Sequence, residues 1–183
     1  MKGIIIYKGK YGATQQYAEW LGSELKLPVA MADRIRGDSL MPYDFLLIGT
    51  SVYIGKLQIE RWLKKNRGFI GNKKIFFFQV AATPPEERVK RQVYNESGIP
   101  KELVGNCQFY FLPGRMIMKK LSWLDSILLK MGAKLTKDPT EKKTMVTDYD
   151  NVRKEHIADI LLSVKKLLNQ VKVAIPEKIV AAV

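Results

Sequence analysis

The sequence predicts an α/β protein, a parallel sheet of five strands covered on both faces by helices. Three observations carry that prediction. Short continuous apolar runs alternate with segments of helical period along the chain. The runs are unbroken rather than alternating, as strands buried on both faces require. No linker, internal repeat or low-complexity tract divides the 183 residues, so the alternation belongs to one domain. The expected domain covers residues 1–172, with an insertion at about 113–146 and a short apolar tail at 173–183.

The first strand is expected from Lys2 to Tyr7, an isoleucine run that ends at glycines. Residues 13–26 place Thr14, Ala18, Leu21 and Leu25 on one face at helical spacing. Pro28 to Ala32 reads as a second strand and Asp44 to Ser51 as a third, central one; the helix after it carries Ile59, Trp62 and Leu63. Lys73 to Val80 is the fourth strand. Pro84 and Pro85 followed by Glu86 and Glu87 open the next helix, with fixed φ and negative charge where a helix N-terminus favours both. Cys107 to Leu112 is the fifth strand. The last helix carries a stripe of Ile157, Ile160, Leu161, Val164, Leu167, Leu168 and Val171, and Thr147 with Asp150 predicts a capping box at its start.

About 35 residues separate the fifth strand from that helix, more than a crossover needs. They include a basic, apolar segment from Arg115 to Met131. Met116, Ile117, Met118, Leu121, Trp123, Leu124, Ile127, Leu128 and Leu129 are apolar, with Arg115, Lys119, Lys120 and Lys130 beside them. Two expectations stand for this segment: a helix packed on the core, or an interfacial helix on an anionic bilayer.

Composition narrows the function. A chain this long buries roughly 70% of its unfolded surface and needs no cross-link to stay folded. One Cys and one His exclude a disulfide framework and a cysteine-paired zinc site, and a reducing, cytoplasmic compartment is expected. The N-terminal apolar run is too short for a signal peptide, and no run reaches the length of a membrane span. The net charge of +13 attracts polyanions. No recognition-helix or RNA-binding motif accompanies it, so nucleic acid is not an expected partner.

In an open parallel sheet, ligands bind beyond the carboxyl ends of the strands. Three turns there are informative. Tyr7-Lys8-Gly9-Lys10-Tyr11-Gly12-Ala13-Thr14 runs from the first strand into a helix: glycines let backbone N–H groups reach an anion, the helix terminus adds positive potential, Thr14 adds a hydroxyl, and Lys8 and Lys10 add charge. It is neither a Walker loop nor the dinucleotide fingerprint, and a plain strand-to-helix connection is the alternative. Gly49-Thr50-Ser51-Val52-Tyr53-Ile54-Gly55 ends the third strand with hydroxyls, an aromatic and a glycine suited to a flat ring. Val80-Ala81-Ala82-Thr83-Pro84 ends the fourth with small residues that let a ligand approach the backbone, or simply make a tight turn.

Together these loops resemble the flavodoxin superfamily over about residues 1–170. The resemblance implies a three-layer sandwich with strand order 2-1-3-4-5 and FMN as cofactor. It implies the FMN phosphate at Gly9, Lys10, Tyr11, Gly12, Ala13 and Thr14, and the ring between Ser51, Val52, Tyr53 and Gly55 on one side and Ala81, Ala82 and Thr83 on the other. The chain departs from the family at Lys8 and Gly9, where small hydroxyl residues are usual. Four further stretches are similar to the bacterial menaquinone-dependent protoporphyrinogen oxidases: Phe111 to Arg115, Lys119 to Asp125, Leu129 to Gly132 and Thr147 to Asp150. That resemblance implies an FMN-dependent oxidoreductase passing electrons from a porphyrinogen-like anionic substrate to a quinone at the inner face of the cell membrane. A soluble electron carrier without substrate chemistry of its own is the alternative. Arg115, Lys119, Lys120 and Trp123 are the expected substrate residues.

Other conspicuous residues have plainer readings. His156 beside Asp159 is expected to be structural, Cys107 a small core residue, and the Glu86 to Arg91 charge run a solvated helix face. No nucleophile, triad or metal cluster suggests another chemistry, and flavin chemistry resides in the cofactor.

Overall fold

A computed structural model describes residues 1–83, 87–136, 142 and 146–174, with the side chains of Lys90 and residues 171–174 outside that description. Five principal strands form the sheet: β1 (Gly3–Lys8), β2 (Val29–Met31), β3 (Phe45–Tyr53), β5 (Lys74–Ala81) and β6 (Cys107–Pro113). They are hydrogen-bonded in parallel in the order β2-β1-β3-β5-β6, with a short β4 (Lys56–Leu57) folded back antiparallel on β3. Leaving β4 aside, this is the expected 2-1-3-4-5 order.

Alternate residues of a strand face opposite sides of the sheet, and both sides are apolar here. Ile4, Ile6, Leu46, Ile48, Ile75 and Phe77 face α2 (Glu60–Ile70), where Trp62 and Leu63 meet them. Tyr94 of α3 (Arg88–Gly98) and Leu103 of α4 (Lys101–Val104) join this layer. Ile5, Leu47, Phe76, Phe78 and Val80 face the other way, against Tyr17, Ala18 and Leu21 of α1 (Ala13–Leu25) and Ile160 and Val164 of the last helix. Full burial of each such aliphatic side chain contributes about 1.5–3 kcal/mol. Two cores back to back explain why the central runs are apolar without alternation.

The insertion opens with β7 (Arg115–Met116), continues through α5 (Trp123–Leu135) and returns at β8 (Tyr149–Asp150), which pairs antiparallel with β7. The last helix, α6 (Ala158–Ala174), follows a 3-10 turn at Lys154–Ile157.

Three sequence expectations are corrected, and three more fall outside the described residues. Thr147 and Asp150 do not cap the last helix. Asp150 lies in β8, where one carboxylate oxygen accepts from the Val152 amide at 3.1 Å and the other pairs with Arg115 at 2.9 Å. The charge run is not a solvated face throughout, because Arg91 is 0% exposed. The insertion helix does not pack its apolar stripe on the core: Trp123, Leu124, Ile127 and Leu128 face outward. The helix start expected at Pro84 to Glu86, the side chain of Val171 and the tail beyond Ala174 lie outside the described residues.

Candidate functional site

The register aligns the ends of β1 and β3, with Tyr7 opposite Gly49 and Lys8 opposite Thr50, so the loops that follow emerge side by side. The loop after β1 enters α1 through Gly12, whose φ of 84° is a left-handed conformation that glycine adopts without strain. No side chain caps α1, and its first turn holds no acidic residue. Its N-terminal amides and the positive end of its dipole therefore face a region suited to an anion. Thr14 is 1% exposed, yet its hydroxyl oxygen has no hydrogen-bond partner among the described residues. Buried hydroxyls are normally paired, so this one marks a position for an outside acceptor. Gly9 completes the cradle. A Cβ there would stand 2.7 Å from the Thr14 Oγ1, so only glycine lets the loop close this tightly over Thr14.

The two lysines of the loop are both engaged. Lys8 pairs with Asp33 at 2.7 Å. Lys10 pairs with Asp125 of α5 at 2.6 Å, lies 4.4 Å from the Tyr53 ring centroid and donates to the Tyr53 hydroxyl at 3.4 Å. Its pKa is raised, chiefly by the hydrogen bond to Asp125, which keeps the ammonium charged. The Tyr11 and Tyr53 hydroxyls also donate to Asp125.

Ser51 donates to Gln58 Oε1 at 2.7 Å, across the hairpin that joins β3 to β4. The hairpin turns on Ile54 and Gly55, with φ of 47° and 69°. Two successive positive φ values give the tight turn that matches strand twist, and a β-branched residue adopts the first only at a cost of about 1–3 kcal/mol. Ile54 is exposed there.

The turn after β5 is held from beneath by Arg91. Its guanidinium donates to the carbonyls of Gln79 at 3.3 Å, Ala81 at 3.3 Å and Leu112 at 3.0 Å, and to that of Thr83 at 2.8 Å through Nε. Ala81 is buried while Ala82 is exposed at the turn.

Lys10, Tyr11 and Tyr53 thus meet at one carboxylate, while Ala81 to Thr83 are fixed separately by Arg91. The expected substrate residues divide. Arg115 is tied to Asp150 within the β7–β8 ribbon. Lys119 and Lys120 are exposed in a 3-10 turn, and Trp123 is 71% exposed at the start of α5. His156, expected to be structural, places its Nδ1 3.1 Å from the Tyr17 hydroxyl. Burial pushes the Cys107 thiol up to about 12, which makes it a poor nucleophile.

Sequence reasoning missed Asp125 and Arg91 as site residues. For Asp125 a signal existed: it is the only acidic residue between Arg115 and Thr136, set within an apolar stripe. For Arg91 none did, since a basic residue in a charged run ordinarily marks a solvated face.

Residues 4–143 match the flavodoxin domain. The chain belongs to the flavodoxin domain family. Among its relatives, protoporphyrinogen IX dehydrogenase [quinone] of Escherichia coli is 24% identical over 168 residues, covering 83% of this chain and 91% of that protein. An uncharacterized protein of Methanocaldococcus jannaschii is 28% identical over 85 residues, covering 46% of this chain and 57% of that one. The solved oxidised flavodoxin 2 of Bacillus cereus shares the fold, with a TM-score of 0.50 at 14% identity over 91% of this chain and 99% of its own. In this flavodoxin-domain chain, the anion cradle at α1 and the paired turns after β3 and β5 stand at the carboxyl edge of the sheet, where ligands bind in open α/β folds.

Proposed function

We propose that this chain binds FMN and acts as an oxidoreductase, passing electrons from a porphyrinogen-like anionic substrate to a quinone. The observation that carries the cofactor is the Thr14 hydroxyl, buried at the uncapped start of α1 with no partner among the described residues. In this reading the phosphate is received by the backbone of Gly9, Lys10, Tyr11, Gly12 and Ala13 and by the Thr14 hydroxyl. Ser51, Val52, Tyr53 and Gly55 take one side of the ring, and Ala81, Ala82 and Thr83 the other. FMN, when bound, supplies the electron uptake and release that no side chain here can perform.

The protein's own contribution is binding and orientation. Arg91 fixes the carbonyls of Ala81 and Thr83, which gives the turn beside the ring a set shape. Lys119 and Lys120 present exposed cations to substrate carboxylates, whereas Arg115 is engaged by Asp150 and contributes to the ribbon instead. The outward apolar face of α5, with Trp123 at one end and exposed Lys119, Lys120, Lys130 and Lys134 beside it, fits an anionic bilayer, the phase in which an apolar quinone resides. No helix among the described residues is long and apolar enough to cross a membrane, so contact would be peripheral. The relationship to the E. coli dehydrogenase supports the substrate and acceptor.

The test is anaerobic. The purified protein, loaded with FMN, is mixed with protoporphyrinogen and a quinone, and porphyrin fluorescence is followed. Turnover that needs both FMN and quinone is expected. A protein that binds FMN and exchanges electrons with a redox partner but leaves the porphyrinogen unoxidised is a carrier, which overturns the enzymatic reading.

A further inference from the structure

Helix α5 is built inside out. Asp125 is 3% exposed while Trp123, Leu124, Ile127 and Leu128 face solvent. Helices ordinarily dock through their apolar stripe. The first turn of α5 is held instead by charge and hydrogen bonds. Ser122 caps it, accepting from the Asp125 amide at 3.2 Å. The Tyr11 hydroxyl accepts from the Ser122 amide at 3.4 Å and donates to Asp125 Oδ2; the Tyr53 hydroxyl donates to Oδ1; Lys10 closes the cluster at 2.6 Å.

A carboxylate removed from water is tolerated only when paired and hydrogen-bonded, so this cluster stands or falls as a unit. Its three partners come from two places: Lys10 and Tyr11 from the loop after β1, Tyr53 from the end of β3. Both flank the region assigned above to FMN. The contact between α5 and the candidate cofactor site is therefore direct.

We propose that Asp125 is a positioning residue of the cofactor site: its carboxylate holds Lys10, Tyr11 and Tyr53 in the arrangement that receives FMN, and the same contacts couple FMN binding to the docking of α5. The inference rests on the FMN reading. The coupling is reciprocal, because a ligand that prefers the ordered loops favours the docked helix by the same factor that the docked helix favours the ligand.

The full-length protein is compared with D125N, which keeps the side-chain shape and one acceptor but loses the charge, and with D125A. FMN affinity is read by flavin fluorescence quenching, the environment of the ring by its visible absorption spectrum, and docking by trypsin cleavage at Lys130 and Lys134 with and without FMN. FMN binding to D125A is expected to weaken about 10- to 100-fold, the range for losing hydrogen bonds to a charged group, with D125N between. The bound flavin spectrum should shift in both variants as Tyr53 is released. FMN should slow cleavage of α5 in the wild type and leave it unchanged in D125A. Wild-type affinity and an unshifted spectrum in both variants would overturn the inference alone, as would cleavage of the wild type that ignores FMN. A wild type that binds no FMN overturns the functional reading and this inference together.

Discussion

Replacing Thr14 by Val separates a cofactor cradle from an ordinary buried turn. Valine has nearly the shape of threonine and the same β-branching, so α1 loses little helical preference. The hydroxyl it removes is 1% exposed and has no partner among the described residues. An unpaired buried polar group costs about 1–3 kcal/mol, so the ligand-free T14V protein should be as stable as the wild type or more stable by about 1 kcal/mol. FMN binding should change in the opposite direction. A hydrogen bond to a charged phosphate is worth about 1.5–3 kcal/mol, and each 1.4 kcal/mol is tenfold, so affinity should fall about 10- to 100-fold. Urea unfolding of the ligand-free protein and FMN fluorescence quenching read the two quantities. A T14V protein that is clearly less stable, or that binds FMN as the wild type does, would refute the assignment of this hydroxyl.

Three further outcomes are expected. R91K keeps a positive charge but loses the fork that serves the carbonyls of Gln79, Ala81, Thr83 and Leu112, and should lower the free energy of unfolding by about 3 kcal/mol; a loss within 0.5 kcal/mol in urea would remove Arg91 as the clamp of the turn after β5. Burial raises the Tyr17 and Tyr149 hydroxyls from 10.0 to about 12 and the Cys107 thiol from 9.0 to about 12. A raised folded pKa leaves stability intact below the unfolded value and withdraws it as pH climbs toward the folded one, so the urea midpoint should hold to about pH 9 and then fall toward pH 12. A midpoint that rises over that window would contradict the burial of these groups. Co-sedimentation should find the protein on anionic vesicles at low salt, less at 1 M salt, where the Debye length is about 3 Å, and less again for W123A at either salt. Equal failure to bind anionic and neutral vesicles would remove the membrane from the account.

The sheet was legible because its central strands are buried on both faces: Ile4 to Ile6, Phe45 to Ile48 and Ile75 to Phe78 are apolar without interruption, a pattern few other environments produce. The anion loop was legible in part, since glycine spacing before a helix has a backbone reason. The β3–β4 hairpin was not, because its turn puts Ile54 in a left-handed conformation that sequence rules reserve for Gly, Asn and Asp. Asp150 satisfied the pattern of a helix cap, but Arg115, far away in sequence, claims its carboxylate. Arg91 and Asn95 lie four residues apart on one face of α3, where periodicity is visible, but their partners come from other elements: the Gln79 side-chain amide donates to Asn95, and Arg91 donates to the carbonyls of Gln79, Ala81 and Leu112. Asp125 shows the same limit. Its oddity within an apolar stripe could be seen, while its partners Lys10, Tyr11 and Tyr53 are brought to it only by the fold.

The most direct test of the cofactor cradle is a comparison of FMN with riboflavin, which has the same ring system and lacks the phosphate. Titration of the ligand-free protein with each, followed by flavin fluorescence, should show one FMN per chain bound at least about 100-fold more tightly than riboflavin, since the phosphate meets the helix terminus, the loop amides and the Thr14 hydroxyl together. Equal affinities for the two flavins, or none for either, would contradict an FMN phosphate at the start of α1.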